Sequence, residues 1–204
     1  MSDTPSSNPQ SRFAVPELDS LPADIRERID AVAEKSGFVP NVFRVLAHRP
    51  EEFRAFFAYH DALMEKESGL SKGEREMIVV VTSALNRCLY CVVAHGAIAR
   101  IREKNPRLAD QLATDYTRAD ITERQLAMLD FASLVADQAA DVTDEDFDEL
   151  REHGFSDEDI WDIGAITSFF ALSNRMAGLT DMQPNNEFYT LGREPAKPRP
   201  RLVK

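Results

Sequence analysis

The chain has 204 residues, 43% hydrophobic and 29% charged, the profile of one globular domain with room for a buried core. Its formal net charge of -11 and isoelectric point near 4.9 argue against nucleic-acid or anionic-membrane partners, which need clustered Lys and Arg. No run approaches the roughly 18 uninterrupted apolar residues of a membrane span, and the N-terminus lacks a charged-then-apolar leader, so a reducing cytoplasm is the expected compartment.

Pro5, Pro9 and Pro16 among Ser and Asn make residues 1–20 an expected extended arm. Leu21 to Lys35 reads as an amphipathic helix carrying Ile25, Ile29, Val32 and Ala33, stopped by Gly37. A short helical or turn segment follows Pro40. Glu51 to Glu67 then sets Phe53, Phe56, Phe57, His60, Leu63 and Met64 on one helical face. Ser71 with Glu74 forms a capping box, whose side chains satisfy orphan backbone N–H groups at a helix start. Met77 to Val81 is apolar on every side, which predicts a central, buried helix broken at Asn86-Arg87. A further helix begins near Cys88 and runs to about Lys104. Thr122 with Gln125, Thr143 with Asp146 and Ser156 with Asp159 open three more, reaching Ala139, His153 and Met176.

The pattern predicts an all-α domain of about seven or eight helices over residues 21–183, with no strand. Residues 184–204, rich in proline and basic groups towards the end, are expected to be an extended tail, mobile or laid over a neighbouring subunit. At an offset of 85 residues, Leu70, Ser71, Ile78, Thr82 and Ser83 meet Phe155, Ser156, Ile163, Thr167 and Ser168. Either a helical hairpin was duplicated or two buried, capped helices look alike by chance.

One cluster points to chemistry: Glu76, then Cys88-Leu89-Tyr90-Cys91, then His95. On a helix, positions 88, 91 and 95 lie within about 60° of one another, so both sulfurs and the imidazole share a face. With a tight reversal at residues 86–87, Glu76 comes level with His95 on the preceding antiparallel helix. A thiol at a helix N-terminus is acidified by the macrodipole and the free N–H groups. His95 can take the proton of Cys91, and Glu76 can orient the imidazole. Cys91 would then attack a peroxide oxygen to become a sulfenic acid, and Cys88 would condense with it to a disulfide that an external dithiol reduces. An inert buried pair and a zinc site using Cys88, Cys91, His95 and Glu76 stand as alternatives. A thioredoxin-like fold is excluded by the missing strands.

The spacing E-x11-C-x-x-C-x3-H in an all-helical chain resembles the core of the alkylhydroperoxidase AhpD-like / carboxymuconolactone decarboxylase superfamily. The segments PNVFRVLAHRPE, LSKGEREMIVVVTSALNRCLYCVVAHGA and FSDEDIWDIGAITSFFALSNRMAG resemble its longer, peroxidase-related branch, over about residues 17–192. The resemblance implies the AhpD-like fold, Cys91 as peroxidatic and Cys88 as resolving cysteine, and Glu76 and His95 as members of a proton relay. It also implies a homo-oligomer, whether dimer, trimer or hexamer. Tyr90 stands where the best-studied AhpD pattern has a second histidine, and a phenol is a poor base at neutral pH. The decarboxylase branch typically lacks the cysteine pair.

The expected function is a thiol-dependent peroxidase acting on organic hydroperoxides or hydrogen peroxide, with no bound metal, haem or flavin. The alternatives are a dithiol–disulfide oxidoreductase or redox relay, and a non-enzymatic metal-binding or redox-sensing oligomer. His60 reads as a core histidine with a backbone partner, against a role behind the thiols. His48 and His153 read as loop or helix-end residues. Trp161, Phe169, Phe170 and Met176 read as core or subunit interface, and Asn174-Arg175 as the place of a buried guanidinium in an intersubunit or interdomain salt bridge.

Overall fold

The computed structural model describes residues 10–193, so the outer parts of both expected arms lie outside the described residues. Within them are ten α-helices and no strand. In chain order these are α1 (Ala23–Ser36), α2 (Asn41–Leu46), α3 (Pro50–Met64), α4 (Lys72–Leu85) and α5 (Leu89–Arg102), then α6 (Leu108–Asp115), α7 (Glu123–Gln138), α8 (Asp144–Glu152), α9 (Asp157–Thr180) and α10 (Asn186–Thr190). One 3-10 turn, Leu18–Ser20, precedes α1.

The four expected capping boxes all form, at Ser71, Thr122, Thr143 and Ser156. Each ties a side chain to the backbone three residues away, so the helix starts follow from local sequence. The run Met77 to Val81 is buried on all sides, and α4 is the hub on which α5, α6, α7 and α9 pack. The reversal into α5 takes three residues, Asn86, Arg87 and the N-cap Cys88. Asn86 donates to the Thr82 carbonyl at 3.0 Å, and Arg87 adopts the left-handed conformation at φ 55°. That geometry costs a non-glycine residue roughly 1–2 kcal/mol, and it brings α5 back antiparallel along α4.

Three apolar clusters result. The largest joins α4, α7 and α9, with α6 and α8 covering its rim. A second, aromatic cluster joins α1, α2 and α3 through Ile25, Ile29, Phe53 and Phe57. The third surrounds Cys88 and Cys91 with Val45, Tyr90, Ala177, Met182 and Phe188. No helix among the described residues is long and apolar enough to cross a membrane. Helices α4 and α9, the two members of the internal echo, pack on one another and start with the same cap.

Three expectations change. The segment after Pro184 is not extended throughout: Asn186–Thr190 is helical, and the stretch docks on α5. Buried Arg100 causes this, donating to the carbonyls of Phe188 at 2.9 Å and Leu191 at 2.8 and 3.0 Å. Residues 10–13 of the N-terminal arm are also held, through Arg12 N–H to the Thr180 carbonyl at 2.7 Å and Ser11 Oγ to the same oxygen at 3.2 Å. Finally, Arg175 is not buried within the chain: it is exposed and bonds to Ala171 O at 2.7 Å, which corrects the expected burial and not the expected pairing across subunits. The buried guanidinium beside an acid is Arg75, whose Nη2 lies 3.7 Å from Asp162 of α9.

Candidate active site

The α4–α5 hairpin carries the cluster. Cys88 has extended backbone and is the N-cap of α5, its sulfur accepting the Cys91 N–H at 3.4 Å. Cys91 lies in the first helical turn beneath it, 1% exposed against 7% for Cys88. On the far side, Cys91 Sγ is 3.9 Å from Ser173 Oγ of α9. From α4, Glu76 Oε2 meets His95 Nδ1 at 2.7 Å, the contact expected from the level of the two residues.

The electrostatics favour one negative charge on the pair. Cys91's thiol donates to Cys88, its N–H and Asn174 add further donors, and the Cys88 pKa is lowered to about 7 despite burial. The Cys91 thiol is pushed the other way, because ionising it would break that bond and set two buried negative charges side by side. The sequence reading gave the first ionisation to Cys91 through His95. The N-cap sulfur is the more acidic of the two, because first the Cys91 thiol and then the Cys91 N–H point at Cys88.

Sequence reasoning missed Ser173 and Asn174 as site residues. Asn174 donates to Ser83 Oγ at 2.9 Å and accepts from Asn86 at 3.1 Å, so it spans α9, α4 and the turn before Cys88. The signal was a polar pair inside an apolar helix, first read as marking a salt bridge. Tyr90 does not stand in for a relay histidine. Its hydroxyl oxygen accepts the Val42 N–H at 3.1 Å, and burial holds its pKa above that of an ordinary phenol.

His60 and His95 both present their edges to or lie across Phe170, at ring distances of 6.3 and 4.8 Å. The partner of His60 is a carboxylate and not a backbone group: Nδ1 lies 3.1 Å from Asp61 Oδ1, and burial lowers its pKa. His48 sits against Phe13, and His153 caps the end of α8. Phe169 and Phe170 are core residues, Met176 is half-buried and Trp161 is exposed. Among the described residues no group of three or more His, Cys, Asp or Glu side chains is placed to hold a metal ion.

Fold and site together define an all-helical protein with a free dithiol at a helix start, backed by a carboxylate–imidazole pair. The family model of the carboxymuconolactone decarboxylase family matches residues 50–115, which include α3, α4 and α5. A peroxidase-related protein with an alkylhydroperoxidase AhpD core from Ralstonia eutropha JMP134 is 66% identical, with 93% of this chain and 100% of that one aligned at a TM-score of 0.92. A peroxidase-related protein from Silicibacter sp. TM1040 is 42% identical over 93% of this chain and 99% of that one, at 0.86. The chain belongs to the AhpD-like carboxymuconolactone decarboxylase superfamily. The debrominase Bmp8 shares the fold at 22% identity, with 83% of this chain and 90% of that one aligned at a TM-score of 0.70. No protein of curated function matches the sequence.

Proposed function

We propose that the protein is a thiol-dependent peroxidase that reduces small organic hydroperoxides or hydrogen peroxide. The observation that carries this reading is the paired thiols at the start of α5, one acidified to about 7, with the Glu76–His95 pair on the same hairpin. The Cys88 thiolate takes the proton of the Cys91 thiol hydrogen-bonded to it, and the Cys91 sulfur attacks the distal peroxide oxygen. The O–O bond breaks, the Cys91 sulfenic acid forms, and the alkoxide leaves as an alcohol with a proton from His95. Cys88 then attacks the sulfenic sulfur, water departs, and the Cys88–Cys91 disulfide closes. An external dithiol supplies two electrons and two protons to reopen it. Glu76 holds the imidazole and balances its charge when protonated.

A second reading, with Cys88 as the attacking sulfur, is favoured by its lower pKa and greater exposure. Both routes end in the same disulfide. Trapping the sulfenic acid in Cys88→Ser and Cys91→Ser separates them, because only the variant that keeps the attacking sulfur is trapped. Stopped-flow oxidation of the reduced protein by cumene hydroperoxide and by hydrogen peroxide tests the function itself. If neither oxidises the pair faster than a free thiol of the same pKa, the peroxidase reading fails. Reduction of a disulfide substrate without peroxide turnover would make the protein a redox relay.

A further inference from the structure

We propose that α9 pairs antiparallel with α9 of a second copy of this chain, about a two-fold axis near Ser168. The outward face of α9 carries Trp161, Ala165, Ser168, Leu172, Arg175 and Leu179, alternating by four and three residues. That is the spacing by which one helix seats another. Its large apolar members are far from buried: Trp161 is 74% exposed, Leu172 52% and Leu179 57%. Beside the C-terminal half of the stripe, between α3 and α9, lies an apolar groove of about 700 Å³, walled by Phe53, Phe56 and Tyr59 on one side and Leu172, Met176 and Leu179 on the other.

Knob and groove sit on opposite halves of one 24-residue helix. A two-fold axis through the helix midpoint carries the partner's Trp161 to the level of Arg175 and Met176, at the groove. By the same symmetry, this copy's Trp161 reaches the partner's groove, so one contact is made twice and the assembly closes. Ala165 and Ser168 are small where the axes cross, which allows close approach.

The charges agree with an antiparallel arrangement. The N-terminal end of the stripe begins with exposed Asp157 and Glu158. The groove wall carries Arg49 and Glu52, and beside it Arg12 and Arg175 outnumber the one further acid, Asp181 at the end of α9. Antiparallel pairing lays the acidic end of each copy over the basic end of the other. Asp157 keeps its own partner, Arg151 at 2.9 Å, and Arg49 pairs with Glu52 at 2.9 Å, which leaves Glu158 and Arg175 as the charges best placed to meet across the pair.

Trp161 is the sole tryptophan, so the proposal can be read by fluorescence on the full chain. Light scattering should give an even number of 23.0 kDa copies, with blue-shifted tryptophan emission that moves red on dilution. Leu172→Glu should halve the copy number and give water-exposed emission, with helical circular dichroism unchanged. Trp161→Ser, a change at an exposed position, should weaken the assembly in the same direction. In a Cys88→Ser, Cys91→Ser background, Ser168→Cys should form a disulfide-linked dimer in which Glu149→Cys, on α8, does not. A monomer, an odd-numbered assembly, or an oligomer whose mass neither Leu172→Glu nor Trp161→Ser alters would overturn it. So would an emission shift produced by a small apolar additive in a protein that stays monomeric, since the groove would then be a ligand site.

Discussion

A buried sulfur can hold a negative charge only if donors replace the water it has lost, and Cys88 has them in the Cys91 thiol, the Cys91 N–H and Asn174. Its alkylation should therefore reach half its maximal rate near pH 7, about two units below an ordinary thiol. Removing one donor in Cys91→Ala should move that midpoint up by about 1–2 units, the worth of one charge-assisted hydrogen bond. Stability follows the same chemistry. Because the folded pKa of Cys88 is depressed, its contribution is complete above the unfolded value of 9.0 and is lost as pH falls through about 7. Cys91 acts oppositely, so the reduced protein should gain stability from pH 7 to 9 and lose it above, while Cys88→Ser lacks the gain. Denaturant unfolding across that range under reductant checks both signs. On the proposed mechanism, His95→Asn should lower peroxide turnover by roughly 10²–10⁴-fold, the ordinary yield of a positioned acid–base group. The contacts of Glu76 with His95 and of Cys88 with Cys91 were legible because 3.6-residue spacing and one short turn fix them. Asn174 was not, because its role arises where α9 crosses the hairpin, and no local pattern encodes a crossing.

At the level of the helix, what the sequence made readable was what short-range chemistry decides. Each capping box closes within four residues, and Ser156→Ala or Thr122→Ala should cost about 0.5–2 kcal/mol by chemical denaturation. Helix α6 escaped the reading because only Leu108, Ala109 and Leu112 are buried, too few for a periodic signal after Asn105-Pro106. Helix α10 escaped it because the cause lies some ninety residues upstream, in Arg100. Tyr90 also works at this scale. Helix α2 starts after Pro40 with no side-chain cap of its own, and the phenol oxygen of Tyr90 accepts one of its free N–H groups. Tyr90→Phe strands that N–H and should destabilise the protein by about 1–3 kcal/mol, with faster hydrogen exchange at the Val42 amide. The pH profile of peroxide turnover should hardly move. A shifted profile with unchanged exchange would instead place Tyr90 in the proton relay.

For the whole molecule, the consequential fact is that the dithiol does not sit in the main core. It lies in a separate cluster to which the chain's own C-terminal segment contributes Met182 and Phe188. That segment is held by Phe188, by the three Arg100 bonds and by Asn185, which accepts the Asn41 N–H at 2.8 Å and donates to the Val39 carbonyl at 3.0 Å, whereas the Arg193–Asp110 pair is exposed and worth at most about 1 kcal/mol. Main-core burial and cover attachment therefore draw on different residues, and the cover should open with less free energy than global unfolding requires. Arg100→Met keeps much of the buried volume and removes the donors, leaving the Phe188 and Leu191 carbonyls to water if the segment lifts. The expected result is cleavage within residues 184–193 under brief proteolysis, and faster modification of Cys88 by a bulky aromatic disulfide. The main thermal transition should meanwhile shift by only a few degrees, about what 1 kcal/mol does in a chain of this size. Phe188→Ala should act the same way, because it removes the apolar half of the attachment. If either change lowered the global transition steeply and left thiol modification slow until unfolding, the segment would be part of the cooperative core. A selective gain in thiol access instead makes the C-terminal segment a cover over the site, and its fit a determinant of how large a substrate reaches the sulfurs.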